Sequence, residues 1–419
     1  MKIEDIYILY SKYFLVDTDT RNIRKNSIFF ALKGDNFNGN TFAEKALSLG
    51  AMYSIVDEKK YQTNANIILV DDVLETLQQL ANFHRKQLNI PIIGLTGSNG
   101  KTTTKELVNA VLSKKYNTTA TKGNLNNHIG VPLTLLSMTP KTDIGIVEMG
   151  ANHIKEIAFL CSIAEPDFGY ITNFGKAHLE GFGSLKGVIE GKSELYKYLQ
   201  INNKIAFVNP DDAIQVEKTK KIKTISFNTD DIKFIEANPF VHLSFYKDQI
   251  QSNLIGKYNY TNIVAAITVG HYFKVSSDAI KKAIEEYVPA NNRSQIIETD
   301  SNKIILDAYN ANPTSMKIAL ENFAELEATH KTVILGDMFE LGKNSLLEHQ
   351  TIVDLSTEFN FENTFFVGEN FYQTKTKKHQ FKSYDDLEKY MIHHPIENHS
   401  ILIKGSRGMR LERILDMIG

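Results

Sequence analysis

The chain has 419 residues, 42% hydrophobic and 23% charged, with a formal net charge of -2. This is an ordinary globular composition, long enough for several domains of about 100–200 residues, and its near-neutrality excludes the basic balance of a nucleic-acid binder. One cysteine, Cys161, excludes an internal disulfide or a multi-cysteine zinc site.

No run approaches the ~18 apolar residues of a membrane span, and the start MKIEDIYILYSKYF has the wrong charge and flanks for a signal peptide. The expectation is a cytoplasmic monomer without membrane insertion or a nucleic-acid partner. In residues 1–85 the runs SIFFAL, MYSIV and NIILVDD alternate with helix-like stretches at 41–50 and 73–86, which predicts a small α/β domain. In residues 86–288, strand-like IPIIGLTG, DIGIVEMG, FGYITNF and KIAFVNP alternate with helical patterns, the arrangement of a mostly parallel sheet. Residues 222–255 read as short antiparallel strands, and YNYTNIVAAITVGHYF returns to helix. In residues 289–419, KIILDAY, KTVILGD, NTFFVGE and SILIKGS again alternate with helical segments and predict a Rossmann-like third unit. The fold class is α/β in three domains.

The most informative stretch is IIGLTGSNGKTTTKELVNAVL, residues 92–112. A buried strand ends, Gly97 and Gly100 relieve the backbone, and Leu107/Val111 with Val108/Leu112 mark one face of a helix beginning at Lys101. At such a helix start, unpaired N–H groups and the positive dipole end can cradle phosphates. Lys101 would reach the terminal phosphates and Thr102 would hold Mg²⁺ through its hydroxyl, with Ser98, Asn99 and Thr103 completing the cradle. The strict G-x-x-x-x-G-K-[ST] spacing requires glycine at position 95, where this chain has Leu95, so the match is to TGSNGKT. By itself the loop implies a nucleoside triphosphate and leaves open a P-loop ATPase or a binding module.

Glu148, in VEMGANH, sits at the carboxyl end of a predicted strand, the edge where open α/β sheets bind ligands, and a carboxylate suits Mg²⁺. His178, in ITNFGKAHLEGFGS, also follows a strand end, and Lys192, in IEGKSELY, lies 14 residues farther along. Taken singly, these two read rather as a structural histidine and a solvated helix lysine.

The segments TGSNGKTTT, NLNNHIGVP, VEMGANH, TNFGKAHLEGFGS, YNYTNIVAA, DAYNANPTSM, LGDMFELG and LIKGSRGMRLE occur in this order across almost the whole chain. The ordered set resembles the Mur ligase superfamily. EMGANH, AYNANPTSM and LGDMFELG are similar to the branch that joins D-alanyl-D-alanine to UDP-N-acetylmuramoyl-tripeptide. They argue against the branch that adds the third amino acid and against folylpolyglutamate synthase.

The resemblance implies an N-terminal UDP-binding domain, a central P-loop domain, and an ATP-dependent amide ligase of peptidoglycan precursor synthesis that uses two Mg²⁺ ions. Lys101 and Thr102 fall on the family's phosphate and Mg²⁺ positions, and Glu148 and His178 on those of the second Mg²⁺. Lys192 matches a lysine that the family carbamylates with CO₂. Asn262 matches the residue facing adenine; Arg293 and Asp307 match ATP contacts, the aspartate through ribose. Asn310 and Asn312 lie in the segment expected near the dipeptide, where turn chemistry beside Pro313 is the other reading. Lys404 and Arg407 lie in the KGSRG turn. Thr20, Arg21, Ala31, Leu32, Lys33 and Gly34 match the uridine-binding segment. The chain departs from the family pattern at Asn38-Gly39-Asn40, where Asp-Gly-His is usual, and at Tyr258, where histidine is usual.

Overall fold

A computed structural model describes residues 1–289 and 293–418. In the first α/β unit, Val16–Asp17, Ile28–Phe30, Tyr53–Val56 and Ile67–Leu69 form a parallel sheet in that spatial order. Phe29 and Phe30 are both buried although their side chains point to opposite faces, so the sheet is covered on both sides, as parallel sheets require.

The helix Val73–Leu88 closes this unit. Its Asp72 cap accepts the Glu75 N–H at 2.7 Å, and it stops at Asn89, which takes the left-handed conformation. The helix also packs on Gly130–Leu135 and Glu156–Ala164 of the central unit. Arg85 donates to the carbonyls of Ala164 and Glu165 and pairs with Asp167 at 2.6 Å. Tyr10 donates to the Leu136 carbonyl at 2.8 Å. A continuous apolar contact including Ile6, Tyr10, Leu77, Leu80, Val131 and Leu135 therefore joins the first two units.

The central sheet is parallel throughout, in the order Lys223–Ser226, Ile205–Val208, Phe168–Ile171, Ile92–Thr96, Ile144–Glu148, Thr118–Ala120. Every residue of Ile92–Thr96 and Ile144–Glu148 is buried, which explains their unbroken apolar character. The helix Lys101–Leu112 buries Leu107, Val108, Val111 and Leu112 against the helix Tyr258–Tyr272. One expectation is corrected: only Ile232–Ala237, Phe240–Phe245 and Asp248–Ile255 form the antiparallel sheet. Residues 223–226 join the central sheet in parallel, registering Lys223 on Ile205, and Phe227 then packs against Tyr170.

In the third unit, Ser400–Lys404, Lys331–Gly336, Asn363–Val367 and His379–Phe381 extend in parallel from Lys303–Asp307, while Gln295–Glu298 forms an antiparallel edge. Among the described residues no helix is long and apolar enough to cross a membrane.

His84 is buried where the first two units meet. Its Nε2 contacts the Met138 carbonyl at 3.0 Å, its Nδ1 has no hydrogen-bond partner among the described residues, and Tyr7, Tyr10 and Phe14 surround the ring. Burial holds its pKa below the ordinary histidine value. The unfolded chain therefore takes up a proton that the folded chain refuses, so stability present above about pH 6.5 is lost as pH falls toward the folded value. His84→Leu is expected to lose less denaturation midpoint than the wild type between about pH 7 and pH 5.5; an identical loss in both would remove His84 as a contributor.

Candidate active site

The loop between Thr96 and Lys101 is shaped by two glycines. Gly97 has φ +143°, and a Cβ there would lie 2.0 Å from Thr172 Oγ1. Gly100 has φ +77°, and its Cβ would lie 2.8 Å from Asn262 Oδ1. Both positions thus require glycine through conformation and close approach. The loop is held from its neighbours: Thr172 Oγ1 donates to the Asn99 carbonyl at 2.6 Å, and Asn173 Oδ1 accepts from the Asn99 N–H at 3.1 Å. Ser98 Oγ donates to the Gly175 carbonyl at 2.8 Å.

Lys101, the first helical residue, folds back over this loop and donates to the carbonyls of Gly97 and Ser98 at 2.8 and 3.2 Å. Burial lowers its pKa; Glu148 opposes that shift and Arg293 adds to it. Thr102, one residue on, donates its hydroxyl to Glu148 at 2.9 Å. Glu148 is 2% exposed and also accepts from Asn126 Nδ2 at 2.8 Å. Among the described residues no cation forms an ion pair with it. A buried carboxylate met only by neutral donors, beside a threonine hydroxyl, is a hard-oxygen donor set suited to Mg²⁺.

His178 occupies a left-handed turn (φ 51°) before Leu179–Phe182, and its Nδ1 meets Glu340 of the third unit. This contact holds the Glu340 carboxyl below its ordinary pKa. Lys192, the last residue of Leu185–Lys192, is not solvated: it is 0% exposed. Its Nζ donates to the Ala151 carbonyl at 3.0 Å and lies 5.3 Å from the centre of the Phe182 ring. Burial, reinforced by Lys101, pulls its pKa well below the lysine range against the opposing fields of Glu156, Glu194 and Glu148.

Asn262 is wedged beside Gly100, accepting from Thr104 Oγ1 at 3.1 Å and donating to Asn259 at 2.8 Å. It thereby ties the phosphate-loop helix to Tyr258–Tyr272. Tyr258, at the departure from the family pattern, bonds Ser294 Oγ at 2.6 Å. Ser294 N–H in turn approaches Asp307 at 3.3 Å.

From the third unit, Asp307 pairs with buried Lys404, which also donates to the Asn310 carbonyl at 3.3 Å. The Tyr309 ring has the Arg293 guanidinium over it at 3.7 Å and that of Arg407 at 5.1 Å. Asn312 caps Pro313–Glu325 by accepting from Ser315 N–H, so the turn chemistry is present; its amide also donates to Asn99 Oδ1 at 2.7 Å across the cleft. Asn310 Oδ1 accepts from Ala311 N–H within the turn.

A single cleft of about 670 Å³ is lined by Ser98 to Thr103, Glu148, His178, Asn262, Arg293, Asp307, Asn310, Asn312, Lys404 and Arg407. Gly97 lies just behind it in the loop, and Lys192 lies beneath its floor. Asn126, Tyr258, Tyr309 and Glu340 also line it and were not singled out for these roles by sequence. The NLNNH segment and the strand-end position of Tyr309 were the available signals.

Thr20, Arg21, Ala31, Leu32, Lys33 and Gly34 are not brought to this cleft; they lie in the first unit. Arg21 pairs with Asp19 at 2.6 Å, and Lys33 pairs with Asp57 at 2.9 Å. Ala31 and Leu32 are buried, with their N–H groups donating to Ile55 and Phe30 carbonyls. Asn40, at the other departure, is fully buried and donates to Asp57 and Asn38 at 2.8 and 2.9 Å. A neutral amide thus braces this loop.

Gly100→Ala is expected to weaken ADP binding about tenfold by calorimetry, because the left-handed conformation costs a side chain roughly 1–2 kcal/mol. Unchanged affinity with an unchanged circular dichroism spectrum would show that the loop tolerates a Cβ.

Comparison with known proteins matches three family models along the chain: the Mur ligase catalytic domain over residues 12–85, the Mur ligase middle domain over 95–270, and the Mur ligase glutamate ligase domain over 292–407. The UDP-N-acetylmuramoyl-tripeptide–D-alanyl-D-alanine ligase of Bacillus subtilis is 35% identical over an alignment that covers 96% of this chain and 92% of that protein. Crystal structure I of MurF from Acinetobacter baumannii superposes with a TM-score of 0.83 at 30% identity, covering 96% of this chain and 92% of that one. MurF from Thermotoga maritima in complex with ADP gives 0.83 at 27% identity, with 96% of each chain covered. With its phosphate loop, its paired α/β units and these matches along its length, the chain belongs to the Mur ligase family.

Proposed function

We propose that this chain is an ATP-dependent ligase that joins D-alanyl-D-alanine to UDP-N-acetylmuramoyl-tripeptide, a cytoplasmic step of peptidoglycan precursor synthesis. The observation that carries this reading is the shared cleft, where a phosphate loop and a cation-poor buried carboxylate face polar strand ends of the third unit. The names of the similar ligases supply the substrates.

A carboxylate is a poor acyl donor, so the tripeptide carboxylate attacks the γ-phosphorus of ATP; the bond to ADP breaks and an acyl phosphate forms. Two anions must meet for this to occur. Lys101 and the N–H groups of the phosphate loop offset the charge on the transferred group. Mg²⁺, when bound, would neutralise phosphate charge, with Thr102 at one ion and Glu148 and His178 at a second. Lys101 leaves the loop carbonyls it now contacts and turns to the phosphates. The amine of D-alanyl-D-alanine, once deprotonated, attacks the acyl carbon, and inorganic phosphate departs with the carbon–oxygen electron pair. Asn310, Asn312 and Arg407 border this end of the cleft and would orient the dipeptide. Asn262, Arg293 and Asp307 would contact the nucleotide, with Lys404 holding Asp307. Thr20, Arg21, Lys33 and Gly34 would face the uridine end, supported from behind by Ala31 and Leu32.

Lys192 fits the carbamate that the family resemblance implies. Burial disfavours the charged form of its amine, and the neutral amine is the form that adds to CO₂; loss of a proton from the adduct then leaves an anion on the side chain. Labelling with ¹³C-bicarbonate is expected to give a carbamate resonance that Lys192→Arg lacks. The same spectrum in both proteins would overturn the modification.

The activity is tested by phosphate release from ATP and Mg²⁺ with UDP-muramoyl-tripeptide, with and without the dipeptide. Release is expected to require the dipeptide and to yield a product heavier by one dehydrated dipeptide. Lys101→Met is expected to lower turnover by about 10²–10³. Release indifferent to both substrates would mark an ATPase instead.

A further inference from the structure

The third unit carries a second group of metal-ligating side chains, at the end of its sheet opposite the cleft. His330 immediately precedes Lys331–Gly336, Glu362 precedes Asn363–Val367, and His399 precedes Ser400–Lys404. These strands are parallel neighbours. One residue before each start therefore falls on a single edge, whereas Asp307 and Lys404 close their strands at the other. Sheet bonds fix all three backbones: Ser400 N–H donates to the His330 carbonyl at 2.9 Å, Glu362 N–H to that of Lys331 at 3.1 Å, and Lys303 N–H to that of His399 at 3.0 Å.

The ligand atoms of the three side chains all lie within 4.8 Å of one another. His330 Nδ1 is 2.7 Å from Glu362 Oε2, and His399 Nε2 is 3.9 Å from Glu362 Oε1. His399 is held from behind. Its Nδ1 is 2.9 Å from Thr332 Oγ1, which also accepts from Asn363 Nδ2 at 3.3 Å, and its backbone N–H donates to Asn302 Oδ1 at 3.0 Å. An imidazole fixed through one nitrogen while the other faces a carboxylate is the arrangement that orients metal ligands.

We propose that His330, Glu362 and His399 form a binding site for a divalent transition ion of the zinc class, separate from the Mg²⁺ positions of the cleft. Two imidazoles and one carboxylate are a set that Zn²⁺ takes with water in its fourth position. Imidazole nitrogen disfavours Mg²⁺ and Ca²⁺, which prefer all-oxygen shells. An ion bound at about 2.0–2.2 Å sets its ligand atoms roughly 3.3–3.5 Å apart. His330 and Glu362 thus separate slightly, giving up the proton between them, while His399 and Glu362 draw together. Half-exposed His330 and Glu362 have room to make that shift. The groove beside them is lined by Glu298, Asp300 and Glu327 against one cation, Lys303, which pairs with Glu298 at 3.8 Å, so its lining remains net acidic and favours cation approach. A bound ion would clip the three strand starts together, in addition to the backbone and side-chain bonds that already join them.

The test is calorimetric titration of the full chain with Zn²⁺ after EDTA dialysis, in excess Mg²⁺ to occupy the cleft. The wild type is expected to bind one more tight equivalent than either Glu362→Gln or the double variant His330→Ala/Glu362→Gln, with equal melting temperatures in EDTA and equal ligase turnover with Mg²⁺. Thr332→Val is expected to keep the stoichiometry and weaken the affinity about tenfold. Equal stoichiometry in the wild type and both variants, or no tight equivalent in the wild type, overturns the proposal.

Discussion

A buried carboxylate with no ion-pair partner among the described residues is the constraint on which the centre of this protein depends. Glu148 ends a fully buried strand, and the groups that meet it are neutral, the Thr102 hydroxyl and the Asn126 amide. Such a charge is costly unless a ligand completes it. Its field reaches both lysines of the site, opposing the loss of charge at Lys101 and at Lys192. The glycine loop, the strand end and the buried helix terminus therefore form one electrostatic unit.

The cleft arises because two open α/β sheets present the carboxyl ends of their strands to each other, the edge at which such sheets bind ligands. The loop after Thr96, from Ser98, supplies one wall with Glu148, and Asp307 and Lys404 supply the other. Hydrogen bonds span the gap: Asn312 reaches Asn99 at 2.7 Å, Thr314 Oγ1 accepts from Lys176 N–H at 2.8 Å, and the Glu340 carbonyl accepts from Glu180 N–H at 3.0 Å. Groups of this kind exchange protein partners for water at small net cost, which suits walls that must part to admit substrates and meet to exclude water.

The long central strands were legible because burial on both faces writes itself as continuous apolar residues, as in IPIIGLTG and DIGIVEMG. Thr118–Ala120 and His379–Phe381 were not, since three partly exposed edge residues carry little pattern. The phosphate loop was legible from its glycines, whose need is local. Lys192 was misread as a solvated helix residue when taken alone, because its burial is tertiary. Gly187 and Gly191 let its helix press onto Phe182, where a Cβ would come within 2.0 and 2.4 Å, and that approach carries the lysine inward. The spacing of those glycines was the local clue. Asn126 is farther beyond reach, since its value lies in meeting a carboxylate 22 residues away.

The helix Val73–Leu88 has a consequence of another kind. Because it belongs to the apolar core of both the first and central units, the Lys33 loop and the phosphate loop stand on one stiff body. Under the proposed reaction, this body acts as a ruler: uridine at one mark and the acyl carbon at the other fix the peptide length that can reach the γ-phosphate. Selection of a tripeptide over a shorter precursor then follows from span as well as from side-chain fit.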